Sequence, residues 1–300
     1  MVVTIGLPLY LKQQNIPRAV AVALGLEAAL YLGLACPELR DRLRGSANRW
    51  LVAVALAVSG MAPYLLAGLR DASAFALLSL IVALICFWFL LLPRSIATGL
   101  GYLAMLGVIL LWRMSGHIYG DPYPKLPLSI LGELMITRLF VMSVLVFRGA
   151  EGVNLGFIPT RAEWLTGLRQ YLYFLPLGLV LNMQIDFADP RHAPMEWWRL
   201  LVNLSATFLG MYVFVALREE VAFRGLLQQW LGNGRLALAV TSVTFGLVHL
   251  PFRQFPNWKF VALATLAGWF YGRAFQQGGG VRAAMVTHAL VNTTWRTLMQ

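Results

Sequence analysis

Two adjacent carboxylates are costly inside an apolar run, yet Glu219 and Glu220 stand well away from either end of ATFLGMYVFVALREEVAFRGLLQQWL, with Arg224 one helical turn further on. An ionisable group in hydrocarbon costs on the order of 3 kcal/mol, so such residues face a protein interior or a water-filled cavity. On a helix Glu220 and Arg224 are i,i+4 neighbours and pair, whereas Glu219 points about 100° away and stays outside that pair. One carboxylate is tied and the other is available to take and return a proton near neutral pH. An ion-pair knot that closes a helix end would use the same three residues.

Two further polar groups lie in the apolar segments that follow. His249 ends the run TSVTFGLVH just before Pro251, a position open to a helix-end residue as well as to a catalytic one. His288 and Asn292, in AAMVTHALVNTTW, are four residues apart and share a helix face. Together they can donate two hydrogen bonds to one point, as an oxyanion hole requires, and interhelical hydrogen bonding would employ the same pair. Taken jointly, two of the chain's four histidines, a pair of adjacent carboxylates and a buried arginine fall in three late segments, and convergence on one site accounts for them most simply.

The ordered set EEVAFR at 219–224, FGLVH at 245–249 and HALVN at 288–292 resembles the CAAX protease and bacteriocin-processing family of intramembrane peptidases, also called CPBP or Abi proteins. The resemblance covers roughly Trp198 to Thr297. It implies that Glu219 and His249 activate a water for attack on a peptide carbonyl, that His288 and Asn292 stabilise the oxyanion, and that Glu220 and Arg224 hold the glutamate helix in place. Members of the family have been described both as metalloproteases and as metal-free glutamate peptidases. No cofactor is firmly implied; a divalent metal such as zinc would take Glu219, His249 and His288 as ligands and leave one position for water. No HExxH signature is present.

The implied activity is hydrolysis of a peptide bond in a membrane-associated or lipidated protein substrate. The alternative is a non-catalytic membrane scaffold or immunity-type interaction protein of the same fold, in which the polar cluster serves packing alone. A transporter would show broken helices in matching halves, and none is evident.

The elements that must position these residues are membrane helices. Of 300 residues, 59% are hydrophobic and 12% charged, far from the soluble balance of about a quarter charged. Apolar runs of roughly 20 residues recur along the whole chain, and only helices satisfy their own backbone in lipid. The expected fold is therefore an all-α polytopic transmembrane helical bundle with about ten spans, at 19–36, 50–69, 72–92, 95–112, 126–147, 170–185, 199–231, 236–250, 259–276 and 281–298. It divides into N-terminal spans 1–147 of unknown role, an interfacial connection 148–170, and a catalytic helical core 171–300. The protein is expected in the plasma membrane, or the inner membrane of a bacterium.

The formal charge of +11 is concentrated between the apolar runs, with Arg40, Arg42, Arg44 and Arg49 in one short connection. This points to a cytoplasmic loop against anionic lipid rather than to nucleic acid. Alternate counting puts both termini outside; Lys12, Arg18, Arg253 and Lys259 run against that orientation. The stretch from Met1 to Arg18 reads as an interfacial lead-in. Cys36 and Cys86 read as small inert hydrophobes, and His117 and His192 as loop residues without chemistry. Helix rise puts Glu220 about 18 Å and His249 about 21 Å from the proposed cytoplasmic side, but His288 only about 9 Å. The Gly278–Gly280 turn is then either recessed into the protein or wrongly assigned as a surface loop.

Overall fold

A computed structural model of the chain describes residues 16–123, 126–149, 153–190 and 196–299. The expected lead-in at 1–18 lies almost wholly, and His192 entirely, outside the described residues. Twelve helices are described: α1 (Arg18–Leu32), α2 (Pro37–Arg44), α3 (Arg49–Leu66), α4 (Ala72–Leu91), α5 (Ile96–Leu111), α6 (Met114–Tyr119), α7 (Ser129–Arg148), α8 (Arg161–Ile185), α9 (Trp197–Gln228), α10 (Arg235–Leu247), α11 (Trp258–Gly278) and α12 (Val281–Leu298). They fall into two units, Met1–Gly149 and Ala150–Gln300.

All ten expected spans fall on helices, but five of these helices are both long and apolar enough to cross a bilayer: Arg18–Ala35, Arg49–Leu66, Ala72–Leu91, Ser129–Arg148 and Trp197–Gln228. The figure of about ten is not reached. α5 and α10 are apolar but short. α8, α11 and α12 have the length, but residues such as Gln170 and Asn182 in α8, and Thr287, His288 and Thr293 in α12, are turned into the protein and dilute the apolar signal. Helices that line a polar site trade hydropathy for function.

In the N-terminal unit α7 is the central helix, with more than three quarters of its span buried. Its Arg138 reaches Glu27 of α1 through two parallel contacts, Nε to Oε1 at 2.7 Å and Nη2 to Oε2 at 2.9 Å. The remaining Nη1 donates to Ser59 Oγ of α3 at 2.8 Å. Glu27 thus finds its partner across the unit, and Glu133, the nearer sequence neighbour of Arg138, is exposed. At one end of the unit Arg49 and Arg94 donate to the Phe147 carbonyl at 2.8 and 3.1 Å, so cations cap the carbonyl end of α7. Both cysteines are free thiols, Cys36 exposed and Cys86 buried.

The C-terminal unit is assembled around α8, α11 and α12. Instead of a short separate helix followed by a span, one helix runs from Arg161 to Ile185 through Pro176. A capping box fixes its start: Thr160 Oγ1 accepts from Glu163 N, and Glu163 Oε2 accepts from Thr160 N at 2.6 Å. Glu163 Oε1 also accepts from Arg282 Nε at 2.9 Å, which ties that start to the first turn of α12. The helices then approach closely at Gly167, where a side chain would collide with Val286. The first turn of α12 is buried, although Gly279 just before it is exposed: Val281, Ala283 and Ala284 have no exposed surface, and Val281 N donates to the Val153 carbonyl.

Candidate active site

Glu219 and Glu220 occupy a single ordinary helical turn, Leu217–Glu220, between two stretches of wider π turns, Met211–Ala216 and Val221–Gln228. Such wide turns re-aim side chains within an otherwise continuous helix and recur at functional sites. Here they separate the two neighbours cleanly. Glu220 is fully buried, whereas the Glu219 side chain retains about a fifth of its surface and lines a cavity.

Glu220 is held on both oxygens. Oε1 accepts from His288 Nδ1 at 2.6 Å, and Oε2 stands 3.3 Å from Arg224 Nε as an ion pair without hydrogen-bond alignment. Arg224 Nη2 donates to the Gly268 carbonyl of α11 at 2.8 Å. A Cβ at position 268 would come within 3.3 Å of that same nitrogen, so glycine is what lets the backbone approach. The guanidinium lies 4.7 Å from the centre of the Phe245 ring and 5.5 Å from that of Tyr271. This cation–π cage replaces part of the solvation that burial removes. Tyr271 also stacks on His288, with ring centres 4.4 Å apart and planes 12° off parallel.

His288 therefore stands between the two glutamates. A carboxylate only accepts, so Nδ1 carries the proton toward Glu220, and Nε2 faces Glu219 Oε2 at 3.8 Å. His249 is oriented in the same manner by a backbone group. Its Nδ1 contacts the Phe245 carbonyl at 2.7 Å, so Nδ1 donates and Nε2 remains as an acceptor in the neutral ring. Asn292 has only a long contact from Nδ2 to the Met211 sulfur at 3.8 Å, which leaves its amide able to turn.

Glu219, His249, His288 and Asn292 all line one cavity of about 490 Å³, together with aromatic side chains including Phe174, Phe260 and Trp295. Glu220 and Arg224 lie behind the wall. The six residues singled out in the sequence are thus sorted into four that face the cavity and two that back it. His288 and Asn292 both face the cavity, and His288 has in addition a partner that the sequence did not indicate, Glu220 at 2.6 Å. Tyr271 escaped the sequence reading because an aromatic in an apolar helix carries no signal of the ring it will stack on.

Among the described residues no three of His, Cys, Asp and Glu are placed together as metal ligands. His288 Nδ1 is engaged by Glu220 and its Nε2 stays free 3.8 Å from Glu219 Oε2, as a metal ligand's would, but His249 is not gathered with these two into a three-donor set, so the residues as placed do not fit a zinc ion.

Comparison with curated proteins and with solved structures returns no match. Residues 201–294, nearly a third of the chain, match the Rce1-like family model, described as type II CAAX prenyl endopeptidase Rce1-like. The matched stretch begins within α9 and ends within α12, so it contains every cavity-lining residue of the three motifs and agrees with the CAAX protease resemblance of the sequence. The helices from α9 to α12 thus carry a segment similar to the CAAX protease family, in an integral membrane chain with five helices long and apolar enough to cross a bilayer.

Proposed function

We propose that the C-terminal unit is an intramembrane endopeptidase that hydrolyses a peptide bond of a membrane-associated or lipidated protein by attack of water. The observation that carries this reading is the sorting of Glu219, His249, His288 and Asn292 onto one cavity with Glu220 and Arg224 behind it.

In this mechanism a water sits between Glu219 and His249. Glu219 takes its proton as the oxygen attacks the carbonyl carbon, and His249 Nε2 accepts the second hydrogen bond and fixes the direction of attack. The carbonyl oxygen becomes an oxyanion facing the Asn292 amide and, in the imidazolium form, His288 Nε2–H. The C–N bond then breaks, the amine leaves with the proton that Glu219 returns, and the water oxygen stays in the new carboxyl group. Glu220 and Arg224 act on His288 and do not touch the substrate: the carboxylate fixes which nitrogen of the ring faces the cavity, and the guanidinium balances its charge. The aromatic walls exclude water that is not reacting and suit an apolar substrate segment.

The test is cleavage of a membrane-peptide library by the purified chain in liposomes made up in ¹⁸O-water. One ¹⁸O in each new C-terminal carboxyl is expected, with loss of cleavage in Glu219→Gln and His249→Ala. Cleavage by both variants at the wild-type rate would overturn the assignment.

A further inference from the structure

A second concavity lies on the outer face of the C-terminal unit, between α8 and α11, with a volume of about 460 Å³. Its walls are Leu172, Tyr173, Pro176 and Leu177 from α8, and Trp269 and Phe270 from α11. It is separate from the catalytic cavity: Phe270, on the groove side, packs edge-on against Phe174, on the cavity side, at 5.9 Å.

The groove is polar at one end only. Arg273 lines it one turn beyond Trp269, and Gln277 follows one turn later on the same face of α11. From α8, Arg169 Nη2 and Gln170 Nε2 both donate to Gln277 Oε1, at 2.8 and 2.9 Å. Gln277 is itself exposed, and its oxygen is occupied by those two donors. Arg273 and Gln170 thus line the polar end of the groove and Arg169 and Gln277 adjoin it; both arginines are exposed, and among the described residues no carboxylate pairs with either. From that end the two antiparallel helices continue as an unbroken apolar trough. A donor cluster joined to a hydrocarbon-lined trough has the form of an amphiphile with an anionic head.

We propose that the α8–α11 groove is a binding site for an anionic membrane phospholipid, with an acyl chain along Tyr173, Leu177 and Trp269 and the head-group phosphate on Arg169, Arg273 and the Gln277 amide. Guanidinium groups bind phosphate oxygens in pairs, and each arginine at a membrane surface favours an anionic lipid by roughly five-fold. A zwitterionic lipid fills the same trough without that gain.

This site stands apart from the peptidase reading, and its test does not use activity. The full chain is placed in vesicles that contain equal fractions of brominated-chain phosphatidylglycerol or brominated-chain phosphatidylcholine. The fluorescence of Trp269 is taken as the difference between wild type and Trp269→Phe. Quenching of that difference is expected to be several-fold stronger with the anionic lipid, and the preference should vanish in Arg169→Gln/Arg273→Gln. Quenching by brominated phosphatidylcholine in the double variant checks that the folded chain is still inserted. Arg235→Gln, an exposed arginine of the same unit outside the groove, should leave the preference intact. Equal quenching by the two lipids, persistence of the preference in the double variant, or its loss in Arg235→Gln would each overturn the proposal.

Discussion

Each unit of the molecule buries a glutamate–arginine pair, and the two pairs are built differently. In the N-terminal unit Glu27 and Arg138 meet through two hydrogen bonds, and Ser59 takes two further guanidinium donors through its hydroxyl and its carbonyl. In the C-terminal unit Glu220 and Arg224 meet at 3.3 Å without hydrogen-bond alignment, and the carboxylate's shortest contact is to a histidine. Glu220 Oε2, Arg224 Nε and Arg224 Nη1 are all left without a hydrogen bond, as is the neighbouring Glu219 Oε2. The first pair ties three helices together, whereas the second leads through His288 to a cavity. Unpaired buried polar atoms are expensive, and they persist where chemistry uses them.

The largest expected effect tests whether both pairs are needed for folding. Removing one partner of a buried pair costs about 3–5 kcal/mol, so Glu27→Ala and Glu220→Ala should each lower thermal stability severely. Replacing both partners by apolar residues of similar size separates the pairs. Glu27→Leu/Arg138→Met should restore stability and leave peptidase activity near wild type. Glu220→Leu/Arg224→Met should recover much of the stability but not the activity, because His288 Nδ1 has lost its acceptor. Equal activity in the two double variants would erase the distinction between them.

Next in size is Asn292→Ala, which removes one oxyanion donor and should reduce kcat by about 100-fold to 1,000-fold with little change in thermal stability. Tyr271→Leu removes the stack on His288 and should lower kcat by up to about ten-fold while KM holds, with Tyr271→Phe restoring the rate. A third glutamate–arginine pair, Glu163–Arg282, is partly exposed and belongs with the structural kind. Thr160→Ala, which breaks the capping box that Glu163 completes, should cost about 1 kcal/mol of stability in thermal unfolding and leave kcat unchanged.

The membrane character, and the separation of Arg224-paired Glu220 from a free Glu219, were legible in the sequence, because span length and the i,i+4 rule are local. The convergence of three motifs on one site was legible as a pattern. What was not legible is the long-range pairing. The Glu27–Arg138 contact joins residues 111 apart and the Glu220–His288 contact residues 68 apart, and no spacing rule encodes either. The start of α8 was not legible as such: the charged Arg161–Arg169 stretch reads as part of a connection, while the capping box at Thr160 begins one helix that continues to Ile185. Five helices rather than about ten qualify by length and hydropathy, because α5 and α10 are short and polar residues that face the protein lower the hydropathy of others such as α8 and α12.

The central claim is that Glu219 acts on water while Glu220 acts on the fold. Its most direct test is the rate of cleavage of a lipidated membrane peptide by Glu219→Gln in liposomes, measured beside its thermal unfolding. The account predicts a rate lower by about 100-fold to 10,000-fold, as for loss of a general base, with unfolding at the wild-type temperature. A rate within two-fold of wild type, in a variant that is equally stable, would contradict it.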